Sequence, residues 1–204
     1  MIQDARVLQP EFVPRDVIHR DAEVQYLSSI LEPILNDNPT DPEFLHGPSG
    51  MGKTCIARFT TERFRETVVE LKAQYVNCWR HYKPFKVLQQ LLAGINRAFD
   101  VHRQSTPLDV LVDRLNEYDG PTYIVILDEV DQLENKGILY DLHRIPNITM
   151  LMIANKEHEV FAELDDRDRS RLNNCTRIRF DSYSTEELQG YSAIEFNEGS
   201  NQVL

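Results

Sequence analysis

Two hydrophobic periodicities take turns along the chain, one helical and one of short continuous apolar runs. From Asp21 to Leu35, Val24, Leu27, Ile30, Leu31 and Ile34 recur at helical spacing, which predicts one amphipathic helix. Residues 7 to 20, with Pro10 and Pro14, read as an extended lead-in, and Asn36 to Pro42 as a break. Glu43-Phe44-Leu45-His46 is a short apolar segment that runs into a Gly-rich loop, and helical periodicity returns from Lys53 to about Val69. Ala73 to Cys78 reads as a second strand, followed by helices over about Lys83 to Phe99 and Leu108 to Tyr118, with Ser105-Thr106-Pro107 as a start signal for the latter. Tyr123-Ile124-Val125-Ile126-Leu127 is an uninterrupted apolar run ending in acid, as expected of a strand buried on both faces of a parallel sheet. Met150 to Ile153 repeats that character, and Ile178-Arg179-Phe180 supplies a candidate last strand. Strands alternating with helices predict a three-layer α/β fold around a central parallel sheet. Ser184-Thr185-Glu186-Glu187 offers a capping box for one more helix, which Gly190 and the polar residues 197 to 202 leave little room to extend.

The loop between the first strand and its helix carries the chemistry. Gly47-Pro48-Ser49-Gly50-Met51-Gly52-Lys53-Thr54 meets the pattern G-x-x-x-x-G-K-[ST]. Its glycines let successive backbone N–H groups converge on phosphate, Lys53 offers a positive charge to the β and γ phosphates, and the Thr54 hydroxyl can ligate Mg²⁺. The following helix adds the positive end of its dipole. A chance match in a chain of this length has odds of roughly one in a hundred. The position between a predicted strand and a predicted helix is the context the motif requires, and it points to ATP and Mg²⁺ as ligand and cofactor.

Asp128-Glu129 closes the run 123 to 127, so both carboxylates sit at the C-terminal edge of a buried strand, where ligands of open α/β sheets bind. Asp128 is expected to hold Mg²⁺, directly or through its water shell, and Glu129 to polarise the attacking water. Asn155 follows the run 150 to 154 and would sit beside the γ-phosphate if that strand neighbours the one ending in Asp128; a turn-favouring Asn at a strand end is the plainer alternative. Arg167, Arg169 and Arg171 alternate with acids and Ser170 just before the last predicted strand. An exposed Arg there could reach a neighbouring subunit's γ-phosphate, and a solvated mixed-charge helix end explains the same spacing.

Composition narrows the partners. The 204 residues suit one well-buried domain, and 41% hydrophobic with 27% charged residues is ordinary for a folded globular chain. A formal net charge of −11 repels nucleic acid on average, so DNA contact requires a local basic patch. Trp79, Arg80, His81 and Tyr82 are the nearest approach to one, and exposed loop residues explain them equally well. Three widely spaced cysteines form no Cys-x-x-Cys pair, and the six histidines show no metal-binding spacing, which points to a cytoplasmic protein without disulfide framework or zinc site. The first residues carry acid early and lack an apolar core, and no apolar run is long enough to span a bilayer, so neither signal peptide nor membrane anchor is expected.

Over roughly residues 8 to 190 the sequence resembles the archaeal origin-recognition replication initiators, the Orc/Cdc type of AAA+ ATPase. The resemblance lies in Phe12-Val13-Pro14 leading to His19-Arg20-Asp21, the Gly47–Thr54 loop, Tyr75-Val76-Asn77-Cys78, Ile126 to Leu133, Leu139 to Leu142, Ile153-Ala154-Asn155 and Leu164 to Leu172. It implies that Val13, Pro14, His19 and Arg20 line the adenine pocket, that Asn155 senses the γ-phosphate, and that Arg171, or second Arg167, is the finger. It implies tight ATP binding, slow hydrolysis, origin marking and helicase loading, with a DNA-touching helical insertion within about Lys83 to Asn116. The family continues into a helical lid and a winged helix that supplies most DNA affinity, whereas residues after about Gly190 no longer look like that lid. The expectation is therefore an AAA+ domain over 1 to 183 and a truncated lid remnant over 184 to 204, with weak or absent turnover and weak binding of origin DNA. The expected partners are a full-length initiator or helicase, and the alternatives are a non-catalytic module regulating full-length initiators and another AAA+ or signalling ATPase with no origin role.

Overall fold

A computed structural model gives the fold, and the structure describes residues 20 to 182 apart from 69, 103 and 104. The elements run α1 (Asp21–Leu31), a 3₁₀ turn (Glu32–Asn36), β1 (Glu43–His46), α2 (Lys53–Thr67), β2 (Lys72–Asn77), α3 (Pro84–Gly94), α4 (Leu108–Asn116), β3 (Tyr123–Asp128), a second 3₁₀ turn (Val130–Gln132), α5 (Gly137–His143), β4 (Ile148–Ala154), α6 (Glu157–Ala162), α7 (Asp166–Leu172) and β5 (Thr176–Arg179). The five strands form one sheet in the order β2-β3-β4-β1-β5, and every pair is parallel.

Successive residues of a strand point to opposite faces, so a sheet covered on both sides needs apolar residues at every position. Phe44, Val125, Leu127, Met150 and Met152 enter a core shared with Leu88 and Leu91 of α3, Leu111 of α4 and Leu142 of α5. Their neighbours Leu45, Ile124, Ile126, Leu151 and Ile153 enter a second core with Leu27 of α1 and Ile56 and Phe64 of α2. The expected three layers follow from that division.

The predicted helix over 21 to 35 divides at Leu31, because Pro33 has no N–H to continue the α-helical ladder and the chain tightens into 3₁₀ geometry. The helix expected to reach Phe99 stops at Gly94. Asn96 adopts φ 60°, and the Arg97 N–H reaches back to the Leu92 carbonyl at 2.8 Å, closing the helix. The last strand begins two residues earlier than expected, at Thr176, and Phe180 lies just past it. The capping box at Ser184 and the segment 184 to 204 lie outside the described residues.

The strand order places the site. The chain leaves β1 for the far edge at β2, steps back through β3 and β4, and then crosses to β5 on the other side of β1. The C-terminal ends of β3, β4 and β1 therefore lie in a row at the switch in strand order, where open α/β sheets bind ligands. Register fixes the alignment: Asp128 pairs with Ile153, His46 with Ala154, and Asn77 with Asp128.

At the opposite end of β1, Glu43 is 1% exposed and its Oε2 has no hydrogen-bond partner among the described residues. Burial, with a smaller push from the Asp41 charge and opposed by a hydrogen bond from Thr176, raises its pKa from 4.5 to about 7. The folded chain thus holds this proton more tightly than the unfolded chain. The stability it contributes is fully present below pH 4.5 and is lost as pH rises through about 7. Glu43→Gln is expected to stabilise the protein by about 1–3 kcal/mol at pH 8 and to give no gain at pH 4.5. Denaturant melts at the two pH values check this, and an equal effect at both contradicts it.

Candidate functional site

Three glycines shape the loop between β1 and α2. Gly47, Gly50 and Gly52 have φ of 141°, 80° and 86°, a region that residues with a Cβ avoid. Gly47 also lies against the backbone beyond β5, where an added Cβ would come within 2.1 Å of the Phe180 carbonyl oxygen. Phe180 in turn donates its N–H to the His46 carbonyl at 2.7 Å.

Lys53 opens α2 and is 6% exposed. Its ammonium donates to the carbonyls of Gly47 and Pro48, both at 2.7 Å, and to Asn155 Oδ1 at 3.1 Å. Burial lowers its pKa, opposed by the charges of Asp128, Asp131 and Glu129. Asp128 ends β3 and accepts at Oδ2 from Thr54 Oγ1 at 2.9 Å and from the Tyr75 hydroxyl at 2.8 Å. Glu129, at φ 58°, turns out of the strand, and its Oε2 accepts from Asn77 Nδ2 at 3.0 Å. Residues 49 to 55, Asp128, Glu129 and Ile153 to Asn155 line a cavity of about 300 Å³.

The Gly47–Thr54 loop, Asp128, Glu129 and Asn155 thus come together, with Asn155 beside Lys53 as the strand-neighbour condition required. Arg167 and Arg171 are exposed on α7 and do not line the cavity. Arg169 differs from both: its guanidinium binds the carbonyls of Phe161 and Leu164, each at 2.9 Å, and so holds the end of α6. Arg20 is buried, pairs with Glu23, donates to the Asp181 carbonyl at 2.8 Å and lies over the Phe180 ring, pinning the start of α1. Val13, Pro14 and His19 lie outside the described residues. Trp79 and Tyr82 are 65% and 46% exposed, with the Lys83 ammonium 5.6 Å from the Tyr82 ring centre.

Sequence reasoning assigned no role to Tyr75 and Asn77, which hold the two carboxylates. The available signal was two polar side chains at i and i+2 on a predicted strand. Mg²⁺ keeps several waters and takes one or two protein oxygens plus substrate phosphates, and the Thr54 hydroxyl with Asp128 is a donor set of that kind. Among the described residues, no group of three His, Cys, Asp or Glu side chains could hold a metal by itself.

The model of the family described as "AAA domain" matches residues 43 to 161, more than half of the chain. The chain belongs to the AAA domain family. It is 58% identical over 188 residues to ORC1-type DNA replication protein 1 of Halobacterium salinarum, covering 92% of this chain and 61% of that protein. ORC1-type DNA replication protein 9 of the same organism is 54% identical over 202 residues, covering 99% of this chain and 57% of the relative. The chain therefore spans about three-fifths of the length of these relatives. The structure of the Aeropyrum pernix ORC1 protein in complex with DNA superposes with a TM-score of 0.78 at 27% identity, covering 95% of this chain and 53% of that one. These matches bear out both the resemblance to origin-recognition initiators and the α/β AAA+ architecture.

Gly47→Ala is expected to cost about 3 kcal/mol or more of stability, since its Cβ would meet the Phe180 backbone. Gly50→Ala, whose Cβ meets nothing within 4 Å, should cost only about 1 kcal/mol of backbone strain. Denaturant melts compare the two, and equal losses contradict the close approach at Gly47.

Proposed function

We propose that this chain is the ATP-binding core of a replication initiator of the origin-recognition type. The observation that carries the reading is Lys53 and Thr54 meeting Asn155 and Asp128 across the ends of three parallel strands. The identity of 58% to a relative named as an ORC1-type DNA replication protein supports the initiator assignment.

The residues divide the work as follows. The loop N–H groups and the Lys53 ammonium bind the β and γ phosphates, with Lys53 releasing the Gly47 and Pro48 carbonyls. Thr54 and Asp128 would hold Mg²⁺, whose positive charge would offset that of the phosphates. Glu129 polarises the attacking water, and Asn155 orients it at the γ-phosphate end. In the free chain Asn77 donates to Oε2 of the Glu129 carboxylate and so holds its orientation. Arg167 and Arg171, exposed on α7, are the candidates for completing a neighbouring subunit's site, and Val13, Pro14, His19 and Arg20 the candidates for the adenine end.

Nucleotide acts in this reading as a switch for origin DNA and for a full-length initiator or helicase, in the cytoplasm. No helix among the described residues is long and apolar enough to cross a membrane. With a net charge of −11, DNA contact depends on local basic groups such as Arg80, Lys83 and Lys86 and weakens steeply with salt.

Lys53→Ala is expected to weaken ATP affinity by a factor of about 10 or more in an equilibrium titration, and unchanged affinity contradicts the nucleotide assignment. Glu129→Gln is expected to keep ATP binding while lowering turnover by about 100-fold or more, read as phosphate release alone and with a full-length initiator. Equal turnover in that variant removes Glu129 from the chemistry.

A further inference from the structure

We propose that the Tyr75 hydroxyl positions Asp128 for Mg²⁺, so that strand β2 sets the metal affinity of the nucleotide site. The inference rests on the ATP·Mg²⁺ reading and adds to it a group that neither touches phosphate nor ligates the ion.

β2 runs parallel to β3 with Tyr75 opposite Ile126 and Asn77 opposite Asp128. Residues 75 and 77 share a face of β2 and both reach beyond their register partners: Tyr75 two residues on, to Asp128 at 2.8 Å, and Asn77 one residue on, to Glu129 at 3.0 Å. Two donors from different elements converge on the same oxygen of Asp128. Thr54 Oγ1 comes from α2 at 2.9 Å and Tyr75 Oη from β2.

A carboxylate held by one donor turns easily about Cβ–Cγ, because that torsion is broad. Two donors on Oδ2 fix the plane and turn Oδ1, which accepts from no described residue, into the oxygen left for the ion or its water shell. The Tyr75 ring is itself fixed, half-buried with the Arg58 guanidinium 5.0 Å from its centre, so the hydroxyl cannot easily follow a rotating carboxylate.

Partners of this kind, one bond removed from a metal ligand, typically carry 10–100-fold in metal affinity. Tyr75→Phe removes the hydroxyl and leaves the ring and its contact with Arg58. The experiment measures ATP affinity at increasing Mg²⁺ for the wild-type chain, Tyr75→Phe, Asp128→Asn and the double variant, with thermal melts of all four. The Mg²⁺ midpoint of Tyr75→Phe is expected to rise about 10-fold, with ATP affinity in EDTA at the wild-type value. In the Asp128→Asn background, Tyr75→Phe is expected to add no further shift, since its effect passes through the carboxylate.

An unmoved midpoint in Tyr75→Phe overturns the inference, including when the melting temperature falls. The same shift in both backgrounds also overturns it. A wild-type chain that binds ATP without any response to Mg²⁺ overturns the metal reading of the site and this inference with it; a wild-type response with no change in Tyr75→Phe overturns only the inference.

Discussion

A buried ammonium organises the site. Lys53 has three protons to place and almost no access to water, and the two carbonyls at 2.7 Å with Asn155 at 3.1 Å provide three acceptors. Desolvation makes any loss of those partners costly, so the loop must bend back over Lys53. That bend is what places Gly47 and Gly52 at positive φ and presses Gly47 against the Phe180 carbonyl. The same arrangement stores a ready exchange, because phosphate oxygens can replace the carbonyls as acceptors with stronger, charge-assisted hydrogen bonds.

The sheet supplies the other half of the geometry. Parallel strands buried on both faces end together, and only at their ends can polar groups leave the apolar layers. Asp128, Glu129 and Asn155 take those exits, while the neighbouring β2 sends Tyr75 and Asn77 to brace the acids. Function thus rests on strand order: β1 and β3 flank β4, and the helix entered from β1 brings Thr54 to the carboxylate ending β3.

The sheet and the phosphate loop were legible in sequence because their signals are local. The run 123 to 127 needs both faces buried, and the glycine spacing needs a phosphate-sized turn. Pro33 already marked the break that ends α1 early, though the apolar spacing through Ile34 masked it. The helices α5, α6 and α7 have six or seven residues, too few turns for periodicity to show. Arg167, Arg169 and Arg171 are alike in sequence, and only packing separates Arg169, spent on the carbonyls of Phe161 and Leu164, from its exposed neighbours. Tyr75 and Asn77 find their partners 53 and 52 residues away, a relation that register creates and one-dimensional spacing cannot express.

The central claim is that Lys53 exchanges backbone carbonyls for phosphate at a site closed by Thr54 and Asp128. A crystal structure with a non-hydrolysable ATP analogue and Mg²⁺ tests it most directly. The account predicts the Lys53 ammonium about 3 Å from β and γ phosphate oxygens, released from Gly47 and Pro48, with the ion at Thr54 and Asp128. Phosphates bound elsewhere, or Lys53 still holding both carbonyls beside a bound nucleotide, would contradict it.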